Sequence, residues 1–112
     1  MTDGQLAAYE QGAAEAKRDA SAGCLRMFSG APSKGWGRDL AETMRARFGI
    51  EVTFTSCFVT EESNAFEGGY NNEVALQIDC IWGEGAFAQA LAEVEQRRKQ
   101  AYDAWVALRK EP

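Results

Sequence analysis

A chain of 112 residues with 46% hydrophobic and 11% aromatic content can bury one core but not two, so a single domain over 1–112 is expected. Its formal charge of −5 disfavours general attraction to nucleic acid, and the complete lack of histidine excludes every mechanism that needs an imidazole base, partner or metal ligand. No apolar run approaches the roughly 20 residues that span a bilayer, and the start MTDGQLAAYE has no basic-then-apolar leader, which predicts a cytoplasmic protein without membrane contact. Cys24, Cys57 and Cys80 form neither a CxxC pair nor an even disulfide set, so reduced thiols are expected, with no metal and no cofactor.

In chain order, residues 3–21 read as a helix, with Thr2 or Asp3 as N-cap and Gly23 past its end. Leu6, Tyr9, Ala13, Ala16 and Ala20 recur at steps of three and four, a stripe of mostly small side chains that favours close packing on another helix. Residues 24–28 are a short apolar stretch, readable as a third, edge strand or as a packed connection. A second helix is expected from Gly35 to Arg47, stopped at Gly49, with Trp36, Leu40, Met44 and Phe48 facing the core.

Residues 50–60 and 73–82 alternate as strands would, with Val52, Phe54 and Phe58 on one face of the first and Val74, Leu76, Ile78, Cys80 and Trp82 on one face of the second. A three-residue loop at Glu67-Gly68-Gly69 brings these faces together by pairing Phe66 with Tyr70, Phe58 with Ile78 and Phe54 with Trp82. After Gly85 a long helix runs to Lys110, with Phe87, Leu91, Val94, Ala101, Trp105 and Leu108 on a stripe that Arg98 interrupts. The expected class is α+β: two N-terminal helices, a long antiparallel hairpin, and a C-terminal helix packed on one sheet face and on the first helix. A two-stranded hairpin is marginal alone, so residues 24–28 or a homodimer partner would cover its edge.

Charge is segregated along the chain. Between Phe48 and Gln96 there is no Lys or Arg but nine acids, Glu51, Glu61, Glu62, Glu67, Glu73, Asp79, Glu84, Glu93 and Glu95. On a hairpin, Glu61, Glu73 and Asp79 would lie on an outward acidic face. Glu62 and Glu67 would rim a tip carrying the aromatic pair Phe66 and Tyr70, the chemistry of a protein-binding hot spot. A partner with a basic surface, such as a nucleic-acid-binding protein, fits that face, making the chain an inhibitor or modulator.

The alternative is nucleic-acid or ribosome binding through Lys34, Arg38, Arg45, Arg97, Arg98 and Lys99. Lys34-Gly-Trp-Gly-Arg38 is not a P-loop, because the spaced glycines and the Lys-Ser/Thr end are missing. For catalysis the nearest arrangement is Cys57 across from Asp79, where a neighbouring carboxylate holds a thiol in its unreactive form, so no enzyme is expected. Tyr9-Glu-Gln-Gly12 through Asp19-Ala-Ser-Ala-Gly23, followed by Gly35-Trp-Gly-Arg38, loosely resembles the helical pairs of small phage-borne and ribosome-modulation-type proteins. The resemblance implies a small accessory or regulatory role, although the acidic span departs from the basic character of the ribosome binders.

Overall fold

The computed structural model of the protein describes residues 1–30, 33–55 and 60–110. Its elements are α1 (Asp3–Ala22), β1 (Arg26–Ser29), α2 (Trp36–Phe48), β2 (Glu51–Phe54), α3 (Glu61–Trp82) and α4 (Ala86–Lys110). α1, α2 and α4 lie where the apolar spacing puts them. Thr2 caps α1 by accepting from the Gln5 amide at 3.1 Å while the Gln5 side chain accepts from the Thr2 amide at 2.8 Å. Gly23 and Gly49 end α1 and α2 in the left-handed conformation that glycine tolerates.

The expected long antiparallel hairpin does not form. β1 and β2 instead pair in parallel, Arg26 opposite Glu51 through Ser29 opposite Phe54, with α2 as the crossover that parallel strands require. Residues 61–82 are one helix, so neither the second strand nor the acidic outer face and tip built on it exists; Cys57 and Phe58 lie outside the described residues.

The causes are local capping and tertiary packing. The Thr60 hydroxyl accepts from the Ser63 amide and the Ser63 hydroxyl from the Thr60 amide, both at 3.0 Å. Glu61 and Glu62 sit at the positive end of the helix dipole. The buried positions are Gly69, Tyr70, Glu73, Val74 and Ile78, a helical spacing. Leu76 and Trp82, expected on one strand face, are 58% and 47% exposed.

Glycine serves contact in α3, not a turn. α1 and α3 run parallel, from Gln5 beside Glu61 to Asp19 beside Tyr70. They approach so closely that a Cβ on Gly12 would overlap the Phe66 carbonyl oxygen, and one on Gly69 would overlap that of Tyr9. α1 thus packs on α3 rather than on the C-terminal helix expected beside it, with Gly12 and Ala16, the latter from its small-residue stripe, both buried.

α3 also finishes the sheet. The Asn71 side-chain amide accepts from Phe28 N–H at 2.8 Å and donates to Phe28 C=O at 2.7 Å, in place of a third strand. Arg26 N–H donates to the Tyr70 hydroxyl at 3.3 Å, and that hydroxyl donates to Asp19 at 2.6 Å. Around this frame the core gathers Met27, Leu40, Met44, Ile50, Val74 and Ile78, closed by Ala90 and Val94 of α4. The C-terminal helix packs on α2 and α3 rather than on a hairpin and α1.

Candidate interaction surface

All seven residues expected to bind a protein partner lie on α3, but the helix turns them in different directions. Glu61 and Glu62 are exposed in the first turn, and Glu61 accepts from the Gln5 side chain at 3.0 Å. Phe66 is half-buried with its ring 6.5 Å from that of Phe28 in an edge contact. Tyr70 is wholly buried, 5.1 Å from the Phe28 ring, and burial together with the Asp19 carboxylate pushes its phenol up to about 12. Burial also raises the Glu67 carboxyl above its usual value.

Glu73 is buried and accepts from Gln77 at 3.0 Å, and Asp79 accepts from the Phe87 amide at 3.0 Å where α4 begins. Other acids of the Lys/Arg-free span are held singly: Glu51 by Arg45, Glu93 by Arg47, and Glu95 by the Trp36 indole N–H. The span does not form one acidic face.

The basic residues proposed for nucleic acid fare similarly. Arg97 and Arg98 reach Asp39 at 3.4 and 3.3 Å, and Arg97 also reaches Glu42 at 2.9 Å and donates to the Thr43 hydroxyl at 3.3 Å. The Asp39 side chain is only 7% exposed, so this cluster is a clamp between α2 and α4. Arg38 pairs with Glu42, Arg45 with Glu51, and Lys99 with Asp103. Lys34 is exposed in the turn before α2.

Beyond the clamp α4 continues with its side chains largely exposed. Of residues 99–110 only Val106 is even half-buried. Tyr102, Trp105 and Leu108 are 62%, 52% and 70% exposed. The Tyr102 and Trp105 rings lie 6.1 Å apart, and the Arg109 guanidinium stands 4.8 Å from the Trp105 ring centroid. Their spacing puts Ala101, Trp105 and Leu108 on the stripe of the long helix expected to pack, and all three are exposed instead. The signal that they leave it is the length of α4 against the much shorter α2, together with the break at Arg98.

A second apolar feature lies at the other end of the body. Leu25, Phe48, Ile50, Ile81 and Trp82 line an open groove of ≈ 150 Å³ between the ends of α1, α2 and α3. The Trp82 ring leans on Phe48 with centroids 5.0 Å apart. Among the described residues no group of three or more Cys, Asp or Glu is placed to hold a metal ion, and no helix is long and apolar enough to cross a membrane. No protein-family model matches the chain, and no curated protein or solved structure matches it.

Proposed function

We propose that this chain is a non-catalytic protein-interaction module whose docking element is the projecting end of α4. One observation supports the reading above the rest. Tyr102, Trp105 and Leu108 stand exposed together on a helix that has run past the body, with Arg109 stacked on the indole. Tyr, Trp and Arg are the residues that dominate binding energy at protein interfaces, and an amphipathic helix laid into a groove is a recurrent mode of recognition.

Lys99, Arg109 and Lys110 against Asp103 give this segment a charge of +2, three minus one. It therefore suits an apolar groove with a negative rim. On this reading the chain acts as a small accessory or modulating protein that docks through the aromatics of α4 rather than the acids of α3.

The test is affinity capture with the tagged full chain, wild type against Trp105→Ala/Leu108→Ala, followed by titration of the captured partner in pure form. The double variant is expected to bind at least about tenfold more weakly, since losing two such anchors exceeds the usual hot-spot threshold. A partner held equally by this variant, and released by charge reversal of Glu61, Glu62 and Glu67, would transfer the function to the acidic start of α3.

A further inference from the structure

Resting on that reading of α4, we infer that the partner groove is the one this chain itself carries, so that the α4 end of one copy seats in the Leu25/Ile50/Ile81/Trp82 groove of a second copy. Three observations carry the inference.

The first is position. α4 begins at Ala86, four residues after Trp82 on the groove wall, and its 25 residues carry its end roughly 37 Å away at 1.5 Å per residue. The helix end cannot reach the groove of its own chain, so only another copy can bring the two together. Two copies lying side by side and antiparallel each place a groove beside the other's helix end. The pair then closes with two identical contacts, the commonest symmetry of soluble oligomers.

The second is apolar match. Ile81 and Trp82 are 63% and 47% exposed at the groove, and Trp105 and Leu108 are 52% and 70% exposed at the helix end. Trp105 and Leu108 are three residues apart and share one stripe of α4, so both can enter one groove. Exposed patches of this kind on a small chain mark contact surfaces.

The third is charge. α1 and α3 both terminate at the groove with no basic residue in their own last turns, and Arg45 and Arg47 in the last turn of α2, which also ends there, are already paired with Glu51 and Glu93. Arg109 and Lys110 would bring a cation to the ends of α1 and α3. The balance of the whole chain agrees: residues 1–98 hold nine basic and fifteen acidic residues, or −6, against +2 for residues 99–110.

Light scattering on the eluted full-length protein should give twice the 12.3 kDa chain mass. Trp105→Ala/Leu108→Ala at the helix and Ile81→Glu at the groove should each weaken the pair at least about tenfold with an unchanged far-UV circular dichroism spectrum, as both alter exposed side chains. A short amine-to-thiol cross-linker should join Lys110 of one copy to Cys24 or Cys80 of the other, since both exposed thiols neighbour the groove. A wild-type chain that stays monomeric at on the order of 100 μM overturns the inference. So does a pair that is indifferent to Ile81→Glu, or one whose cross-links join only Lys110 to groove-distant sites. If Trp105→Ala/Leu108→Ala dissociates the pair while Ile81→Glu does not, the groove assignment fails and the docking role of α4 stands. Should neither variant matter to any association, the docking role falls as well.

Discussion

Gly68 and Gly69 are adjacent in α3, and replacing each by alanine should move stability in opposite directions. In a helix interior alanine is favoured over glycine by about 1 kcal/mol, and this gain applies equally at both positions. At Gly68 the new methyl group would meet only the edge of the Tyr9 ring, at 3.9 and 4.0 Å, which is ordinary contact. At Gly69 it would overlap the Tyr9 carbonyl oxygen and lie 2.8 and 3.0 Å from the Tyr9 carbonyl carbon and Cα. Those are backbone atoms of a neighbouring helix and cannot rotate aside. α1 and α3 would have to part by about 1 Å along their seam, an overpacking that costs about 1–3 kcal/mol together with lost dispersion contacts. We expect Gly68→Ala to stabilise by about 0.5–1 kcal/mol and Gly69→Ala to destabilise by up to about 2 kcal/mol. Urea unfolding followed by circular dichroism should place the two midpoints on either side of wild type with similar slopes. A Gly69→Ala midpoint at or above that of wild type would refute the close-contact reasoning.

Two further perturbations test the polar supports of the sheet. The Tyr70 phenol is raised to about 12 by burial and by Asp19, whereas in the unfolded chain it would ionise near 10. Because the folded value is the higher one, its contribution is complete below pH 10 and lost between pH 10 and 12. That contribution is on the order of 2–3 kcal/mol, and the alkaline loss of stability should shrink in Tyr70→Phe. Asn71→Leu removes both hydrogen bonds to the Phe28 peptide, leaving a half-buried strand edge unpaired. It should lower stability by about 1–3 kcal/mol in the same urea assay and speed amide exchange at Phe28.

The helices at 3–22 and 36–48 were legible because their glycine stops agree with their apolar spacing, and that at 86–110 from its apolar spacing after Gly85. α3 was not, because two local signals point the wrong way. Gly68-Gly69 is a strong turn signal by itself and together costs a helix about 2 kcal/mol, while Val74, Leu76, Ile78, Cys80 and Trp82 alternate as a strand does. What reverses the reading is tertiary: the bare backbone at Gly12 and Gly69 lets two helices touch, a relation between segments more than fifty residues apart that no local window contains. Its capping box was also disguised, since Ser63 stands where Glu or Gln is usual. The candidate surface followed the same logic. The aromatic and apolar residues of α4 were visible, but their exposure depends on where α2 ends.

That dependence explains why the fold leaves Tyr102, Trp105 and Leu108 uncovered. α2 and α4 pack antiparallel, and at 1.5 Å per residue their 13 and 25 residues are roughly 20 and 37 Å long. The start of α2 therefore lies beside the middle of α4, where Arg97 and Arg98 close on Asp39. Past that clamp every residue to Lys110 except Val106 is exposed, and a segment of a dozen residues would be marginal as an isolated helix. It is carried by continuity with the anchored half, by the Lys99–Asp103 pair at 3.0 Å and by the Tyr102, Trp105 and Arg109 stack. Each of these supports is individually weak, worth about 0.3–1 kcal/mol, so the anchored half must supply most of the order. The buried Asp39 clamp thus has two consequences from one piece of chemistry. It fastens α4 to the body, and it fixes the point beyond which the aromatic stripe stands exposed.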